Sequence, residues 1–304
     1  MKTLLATDGS KDAKTALLAA TRLLKRQDNE FYLVCVVPEF HVPDDDSTSK
    51  AGKTRTKYLR KVSGEAGRII NESREVLRAE DITAESIAKL GSPADVLIGM
   101  AVNYDVIVLG AHGLHERTQP GLGPVASRVV EQGSGVILIG RELSSDKNLR
   151  ILVGIDGSQA AQNALDTLKS AFDIENAEVT LMHVVEMPWL HLGLDADWLE
   201  EPDMDQAKAG ADSSAHTQLD REVRHEAHAV LAAAASQLSE LPLSLDTVIE
   251  EGSPASQLLR QAEVGGYDLL VVGATGASDL KHVLLGSVSV KLAWNAPCSV
   301  AIVR

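Results

Sequence analysis

The sequence is poor in aromatic residues and in long apolar runs. Phe, Trp and Tyr together make up 3% of 304 residues, so Val, Leu, Ile and Ala must fill the core, as they do in parallel sheets covered by helices on both faces. No stretch of 18 apolar residues predicts a membrane span. The apolar run of MKTLLATDGS meets Asp8 too early for a signal peptide. These absences predict a cytoplasmic protein that does not associate with membranes.

Cysteine and basic residues are also scarce. The two cysteines, Cys35 and Cys298, lie in the apolar runs LVCVV and PCSVAIV, which favours buried free thiols over a disulfide. Lys and Arg number 29 against 43 Asp and Glu, for a net charge of -14. Because neutralising phosphates requires a basic surface, this charge argues against nucleic-acid binding. It leaves room for one small anion held by backbone N–H groups.

The chain contains an internal repeat. Four segments recur in the same order: LLATDGS and LVGIDGS, GSPADVLIGMA and GSPASQLLRQA, YDVIVLGAHG and YDLLVVGATG, and the apolar ends SGVILIG and CSVAIVR. Such self-similarity is typical of duplicated domains. The sequence therefore predicts two homologous domains, residues 1–141 (the first repeat) and 149–304 (the second repeat), joined by a polar linker.

Strand-like and helix-like patterns alternate within each repeat. In the second repeat the predicted strands are 151–155, 179–185, 243–249, 268–272 and 298–304, and the predicted helices are 158–171, 218–239, 255–264 and 286–294. Strands that alternate with helices form right-handed crossovers and a parallel sheet. The predicted fold class is α/β, with two tandem, doubly wound, Rossmann-like domains of five strands each.

A glycine-rich segment follows the fourth predicted strand of the second repeat. Ligands of open parallel sheets bind beyond the carboxyl ends of the strands, where Gly273 and Gly276 lie. Glycine permits positive φ and close approach of the backbone to a ligand. Gly286 and Ser287 open the next helix, whose unpaired N–H groups attract anions. Together with the Ser289 hydroxyl, these groups predict a phosphate site.

Asp156 has two interpretations. It ends the first strand of the second repeat and precedes Gly157 and Ser158, so it suits the turn that starts a helix. Its carboxylate also suits a ribose hydroxyl or a metal ion bound to phosphates. The two roles are compatible.

The spacing Gly-x2-Gly-x9-Gly-Ser resembles the ATP-binding signature of the universal stress protein (UspA) family. LVGIDGS, LMHVV, GSPA and CSVAIVR are also similar to that family, and the whole chain resembles a tandem of two such domains. The resemblance implies a stress-response regulator or sensor that binds an adenine nucleotide, ATP, with or without Mg. It assigns the nucleotide contacts to Asp156, Val184, Gly273, Gly276, Gly286, Ser287, Val288 and Ser289.

The resemblance also implies how the repeats associate. Single domains of the family dimerise through their last strands, so residues 136–140 and 298–302 are expected to pair within one chain as a pseudo-dimer. A homodimer of whole chains stays open, and the protein partners are unknown.

The first repeat departs from the signature. Asp8, Val36, Gly110, Gly113 and Gly123 match the second repeat, but the two residues that match Ser287 and Ser289 are Pro124 and Ala126. Proline removes an N–H donor, and both substitutions remove a hydroxyl. We expect the first site to bind nucleotide much more weakly or not at all.

The sequence gives little support for catalysis. It lacks a P-loop and a G-x-S-x-G elbow. No catalytic residue is predicted, and at most slow ATP hydrolysis is expected. The alternatives are an ATP-hydrolysing enzyme on the same fold and an interaction scaffold without nucleotide. His225 and His228 are spaced as a zinc pair on a helix, but exposed polar positions are the simpler interpretation, and no metal site is predicted. Trp189 and Trp198 cover either a core edge or the adenine pocket.

Overall fold

The computed structural model describes residues 1–39, 50–114, 121–143, 148–186, 212–276 and 285–304. The strands are β1 Lys2–Ala6, β2 Glu30–Val37, β3 Ala84–Leu90, β4 Val106–Gly110, β5 Val136–Gly140, β6 Arg150–Gly154, β7 Glu178–Val185, β8 Ser244–Glu251, β9 Leu269–Gly273 and β10 Ser299–Val303. The helices are α1 Lys11–Leu23, α2 Lys50–Ala79, α3 Pro93–Ala101, α4 Pro124–Gln132, α5 Gln159–Ala171, α6 Asp212–Ser236, α7 Pro254–Gly265 and α8 Ser287–Asn295.

The strands form one continuous sheet in the order β3-β2-β1-β4-β5-β10-β9-β6-β7-β8. Within each repeat every pair of neighbouring strands is parallel. The strand order reverses between β1 and β4, and again between β6 and β9, which places a crevice at the carboxyl ends of these strands. The predicted α/β class and the two doubly wound, five-stranded units are confirmed.

Two helical layers cover the sheet. The side chains of α1, α2, α5 and α6 pack on one face, and those of α3, α4, α7 and α8 pack on the other. Both interfaces are built mainly from Val, Leu, Ile and Ala, as the scarcity of aromatic residues predicts. Ser10 and Ser158 cap α1 and α5 by accepting the N–H groups of Ala13 and Ala161, each at 3.1 Å.

Some predicted bounds differ from the structure. Helix α6 runs from Asp212 to Ser236 rather than over 218–239, and β8 ends at Glu251 rather than at 249. The chain after Ser236 tightens: the N–H groups of Gln237 and Leu238 donate to Ala234 and Ala235, three residues back. Such bonds are typical of a helix end, and the apolar pattern of the alanine-rich segment does not reveal them.

The two repeats meet along their last strands. Strands β5 and β10 are antiparallel, with Val300 opposite Ile139 and Val303 opposite Val136. The prediction that these strands pair within one chain is confirmed. This contact makes the sheet continuous, because antiparallel pairing satisfies the backbone groups of two strands that would otherwise be edges.

A pair of arginines reinforces this joint reciprocally. Arg141 follows β5 and donates to the carbonyls of Cys298 and Ala293, at 3.2 and 2.6 Å, next to the end of α8. Arg304 follows β10 and donates to the carbonyls of Val130 and Glu131, at 2.8 and 2.7 Å, at the end of α4. Each repeat thus supplies a cation to carbonyls at or just beyond a helix C-terminus of the other, where positive charge is favoured.

Arg141→Ala is expected to lower the free energy of unfolding by about 1.5–3 kcal/mol, since hydrogen bonds from a charged donor contribute this much when they are shielded from water. Arg304→Ala should cost less, because Arg304 is more exposed. Urea denaturation measures both. Arg260→Ala is the control, because Arg260 pairs with Glu250 at the surface, where ion pairs contribute about 0–1 kcal/mol. Equal losses for all three variants would contradict this role.

The two cysteines are buried and unbridged, as predicted. Burial, together with the charges of Asp8 and Glu65, raises the pKa of Cys35 to about 11, and burial raises the pKa of Cys298 to about 12. We expect neither thiol of the folded chain to react with Ellman's reagent at pH 8, and both to react in urea. Rapid reaction of the folded chain would contradict the burial of these side chains.

The same shifts predict a loss of stability at alkaline pH. A thiol whose pKa is higher in the folded chain than its ordinary 9.0 stabilises the fold fully below pH 9. This contribution is lost as the pH rises towards 11. Cys35→Ala should therefore flatten the dependence of the unfolding free energy on pH in this window, as measured by urea denaturation between pH 8 and 11.

Among the described residues, no helix has the length and apolar run needed to cross a bilayer. A cytoplasmic location stays a prediction.

Candidate functional site

The predicted site residues of the second repeat converge at the carboxyl ends of β6 and β9. Asp156 follows β6 and Gly276 follows β9, and a Cβ atom at Gly276 would lie 3.1 Å from Oδ2 of Asp156. The N–H of Gly286 donates to the carbonyl of Ala274 at 2.7 Å, which brings the start of α8 against the same loop. Residues that are 130 positions apart in sequence, Asp156 and Gly286, therefore border one crevice.

Helix α8 begins without a side-chain cap. Its N-cap residue, Gly286, carries no side chain, in contrast with the serines that cap α1 and α5. Ser287, Val288 and Ser289 form the first turn, whose N–H groups have no acceptor within the helix. Ser287 is exposed. This helix start can hold an anion through the backbone alone.

The two serines of this turn have different environments. Ser289 is buried, and its hydroxyl donates to the carbonyl of Gly273 at 2.7 Å. This bond ties the first turn of α8 to the end of β9 and occupies the hydrogen that the sequence assigns to a phosphate. The role of Ser289 in nucleotide binding stays a prediction, and its N–H remains in the open turn.

The glycines act through close packing rather than through unusual backbone angles. Gly286 has a φ of -63°, and neither Gly273 nor Gly276 has a φ in the left-handed region. A Cβ atom at Gly273 would lie 2.7 Å from the backbone carbon of Ala160, so this glycine lets the start of α5 approach β9. Positive φ occurs instead at Gly157, at 78°, in the turn after β6.

Asp156 shapes the turn between β6 and α5. Its Oδ1 accepts the N–H of Ser158 at 3.0 Å and the Ser158 hydroxyl at 2.6 Å, an arrangement typical of aspartate in turns. Its Oδ2 lies beside Gly276. The structural interpretation of Asp156 is confirmed, and its contact with a nucleotide stays a prediction.

Val184 lies near the end of β7, opposite Glu250 of β8, and is half-buried against the core on the α7 and α8 side. Its neighbour His183 points to the other face, and its Nδ1 donates to the carbonyl of Ile155 at 2.7 Å. This bond holds β7 to the segment that carries Asp156. In the sequence, His183 is noticeable only as a single polar residue within the apolar run LMHVV. Its hydrogen-bond partner is determined by the fold.

The first repeat has the same backbone arrangement, but different residues begin its helix. The N–H of Gly123 donates to the carbonyl of Ala111 at 2.8 Å, matching Gly286 and Ala274. Helix α4 then begins at Pro124, which has no N–H, and Ala126 is buried without a hydroxyl. The two predicted departures therefore lie where α8 presents its first and third residues.

Asp8 also engages the loop that follows β4. Its Oδ2 accepts the N–H of Leu114 at 3.1 Å, and its Oδ1 accepts the N–H of Ser10 at 2.9 Å. A Cβ atom at Gly113 would lie 2.9 Å from the same Oδ2. A loop N–H that faces the crevice in this repeat is thus already paired with a carboxylate.

Within the described ranges, no three His, Cys, Asp or Glu side chains cluster in a way that could hold a metal ion. His225 and His228 are exposed on α6, in keeping with surface positions. Trp189, Trp198 and the linker residues 144–147 lie outside the described residues.

The comparisons with known proteins agree on one family. The model of the universal stress protein family matches residues 1–139 and 147–304. The universal stress protein YxiE of Bacillus subtilis is 30% identical over 157 residues, which are 51% of this chain and 98% of that protein.

Solved structures show the same fold. A universal stress protein from Archaeoglobus fulgidus aligns with 100% of this chain and 98% of its own, with a TM-score of 0.63 and 19% identity. A universal stress protein solved in complex with cAMP is 22% identical and covers 51% of this chain and 96% of its own, with a TM-score of 0.30. The first likeness shows the fold, and the second is too distant in structure to support an argument about this chain.

Proposed function

Because the chain belongs to the universal stress protein family, we propose that it is a stress-response regulator that binds ATP in its second repeat. The observation that carries this proposal is the open start of α8, which lies against the loop that also contacts Asp156. The repeats 1–141 and 149–304 are proposed as its two domains, of which only the second holds the nucleotide.

The residues present fit a nucleotide. The N–H groups of Ser287, Val288 and Ser289 and the Ser287 hydroxyl supply donors for phosphate oxygens, which need no Lys or Arg at a helix start. Gly276 leaves space next to Asp156, whose carboxylate suits a ribose hydroxyl or a Mg ion on the phosphates. The backbone of Val184 is proposed to contact the adenine edge. The nucleotide would supply phosphate charge and a base, and the protein orients both.

Nucleotide binding would couple separate parts of the domain. The proposed contacts come from the ends of β6, β7 and β9 and from the start of α8, so a nucleotide would add contacts between the loops that follow these neighbouring strands. A ligand that orders these loops changes the surface that partner proteins meet. We propose that this change in the exposed surface is how nucleotide binding regulates the binding of partner proteins.

The test is isothermal titration calorimetry of the full chain with ATP and Mg. We expect saturable binding of ATP. Ser287→Ala should weaken it about tenfold, the effect of losing one hydrogen bond of about 1.5 kcal/mol to a charged oxygen. An equal affinity for both proteins would remove Ser287 from the site. Binding by neither protein would favour the scaffold alternative.

Steady-state assays distinguish the enzymatic alternative. Slow or absent release of ADP and AMP is expected, because the sequence motifs identify no general base for the attack of water on the phosphates. Rapid turnover that disappears with Gly276→Val would instead identify an ATP-hydrolysing enzyme.

A further inference from the structure

A second candidate site lies where the two repeats meet. A cavity of about 410 Å³ is bordered by the start of α1, the loop after β4 and the end of β5 from the first repeat, and by the end of α8 from the second. Cavities of this size hold small organic molecules. The side chains that give it chemical character are Lys11, Asp12, His112, Arg141, Glu142 and Trp294.

Arg141 gives the cavity a partly buried positive charge. A guanidinium has five N–H donors, and Arg141 uses two of them, both for neutral backbone carbonyls. Its other N–H donors have no partner in the part of the chain that the structure describes. Burial lowers the pKa of Arg141, which reflects the cost of holding this charge away from water. An anion in the cavity would offset that cost with charge-assisted hydrogen bonds.

His112 adds a second polar group with spare capacity. Its Nδ1 lies 3.1 Å from Oδ2 of Asp12, and the same oxygen accepts the backbone N–H of His112 at 3.2 Å. The carboxylate therefore fixes the orientation of the ring, with Nδ1 as the donor. The Nε2 atom is buried and has no hydrogen-bond partner among the described residues. Buried polar atoms are rarely left unpaired, and with Nδ1 as the donor this nitrogen can accept one hydrogen bond.

The acidic residues of the cavity do not cancel its preference for an anion. Asp12 is engaged by His112, and Glu142 is exposed at the rim, as is Lys11, so water screens both rim charges. The inner charged group, Arg141, is a donor only.

Trp294 provides a flat apolar wall. The backbone of Gly121 packs against its indole, and Gly121 has a φ of 110°, so a side chain at this position would meet both a strained backbone and the ring. Aromatic faces favour offset stacking with other flat groups. A ligand with a planar apolar part and one negative end could stack on Trp294 and accept hydrogen bonds from Arg141.

The site is particular to the first repeat. Where the first repeat has Asp12 and His112, the second has Ala160 and Thr275, so the histidine–carboxylate pair occurs once. The cavity is also distinct from the proposed nucleotide residues, none of which borders it.

We propose that the cavity between the repeats binds a small planar carboxylate, with its negative end at Arg141 and its flat part against Trp294. A ligand there would touch both repeats. It would also contact Arg141, which links the end of β5 to the end of α8. Binding of a small metabolite would therefore affect the contact between the two repeats.

Calorimetric titration of the full chain with benzoate tests this proposal. We expect one site with a Kd of about 1 mM or tighter, a reasonable affinity for a ligand of this size. Benzamide, which has the same shape without charge, should bind at least about tenfold weaker, the effect of losing one charge-assisted bond. Equal binding of the two compounds, or no benzoate binding at about 10 mM, well above the expected Kd, would overturn the proposal.

Two matched variants locate the site. Arg141→Gln should weaken benzoate at least about tenfold, whereas Arg304→Gln, which alters the corresponding arginine at α4 outside the cavity, should leave it unchanged. Equal losses in both variants would indicate a general effect on the joint and overturn the proposal. In a Trp189→Phe, Trp198→Phe chain, benzoate should change the fluorescence of Trp294, the remaining tryptophan; an unchanged spectrum at saturation would also overturn it.

A titration at saturating ATP keeps this proposal separate from the proposed nucleotide function. Benzoate binding should be the same with and without ATP, because the two sites share no residue. Competition would place benzoate in the nucleotide crevice and overturn the proposal. Failure of ATP to bind would leave the benzoate result standing.

Discussion

Gly276→Val is expected to lower the affinity of the chain for ATP by at least about a hundredfold, equivalent to about 2.7 kcal/mol. A Cβ atom at this position would lie 3.1 Å from Oδ2 of Asp156, and the two further methyl groups of valine occupy the space proposed for the nucleotide. The loop must move away from Asp156, or the ligand must be excluded. Calorimetric titration with ATP and Mg measures the loss.

The matched control is Gly113→Val in the first repeat. A Cβ atom at Gly113 would lie 2.9 Å from Oδ2 of Asp8, so the local disturbance is at least as large, but the proposal places no nucleotide there. The ATP affinity of this variant should stay within a factor of about two of the wild type. This is the reproducibility of such titrations, and it corresponds to a change in binding free energy well under about 1 kcal/mol. Because Gly276 is exposed, the valine variant should keep its thermal stability. A loss of affinity in Gly113→Val alone would place the nucleotide in the first repeat.

Ser287→Pro is expected to reduce ATP affinity by about a hundredfold while leaving the fold intact. Proline deletes the first N–H of α8 and also the hydroxyl, two hydrogen bonds to phosphate that contribute about 1.5 kcal/mol or more each. The helix should tolerate it, since proline is favoured at the first helical position. Gly286, at φ -63° and ψ 147°, already has the extended backbone that precedes proline.

The first repeat supports the expectation that this variant folds. Helix α4 begins with Pro124 after Gly123, at φ -67° and ψ 164°, nearly the backbone of the second repeat. Ser287→Ala, which keeps the N–H, should fall between the wild type and Ser287→Pro in ATP affinity. If Ser287→Pro binds ATP as tightly as the wild type, the start of α8 does not hold the phosphates.

The repeat and the fold class could be predicted from the sequence because periodicity and turn residues are local. LVGIDGS and YDLLVVG mark strand ends by their composition, and the pairing of β5 with β10 follows once two family-like domains share one chain. The bounds of α6 could not be predicted, since its end depends on the bonds of Gln237 and Leu238 to carbonyls three residues back.

The convergence of the candidate residues at one edge of the sheet could be predicted from the sequence, but their detailed contacts could not. The sequence identifies Ser289 as a hydroxyl donor, but burial directs this hydroxyl to the carbonyl of Gly273. It identifies glycines as sources of positive φ, but Gly273 is required by the approach of Ala160. The bond between His183 and Ile155 and the contacts of Arg141 join residues far apart in sequence. Such contacts depend on tertiary packing, which the spacing of one motif does not encode.

Native mass spectrometry of the purified chain, with and without Mg and ATP, counts the nucleotides that each chain binds. We expect one nucleotide per chain, lost in Ser287→Pro and in Gly276→Val and retained in Gly113→Val. Two nucleotides per chain, or one nucleotide that survives Ser287→Pro and disappears with Gly113→Val, would contradict the assignment of the site to the second repeat.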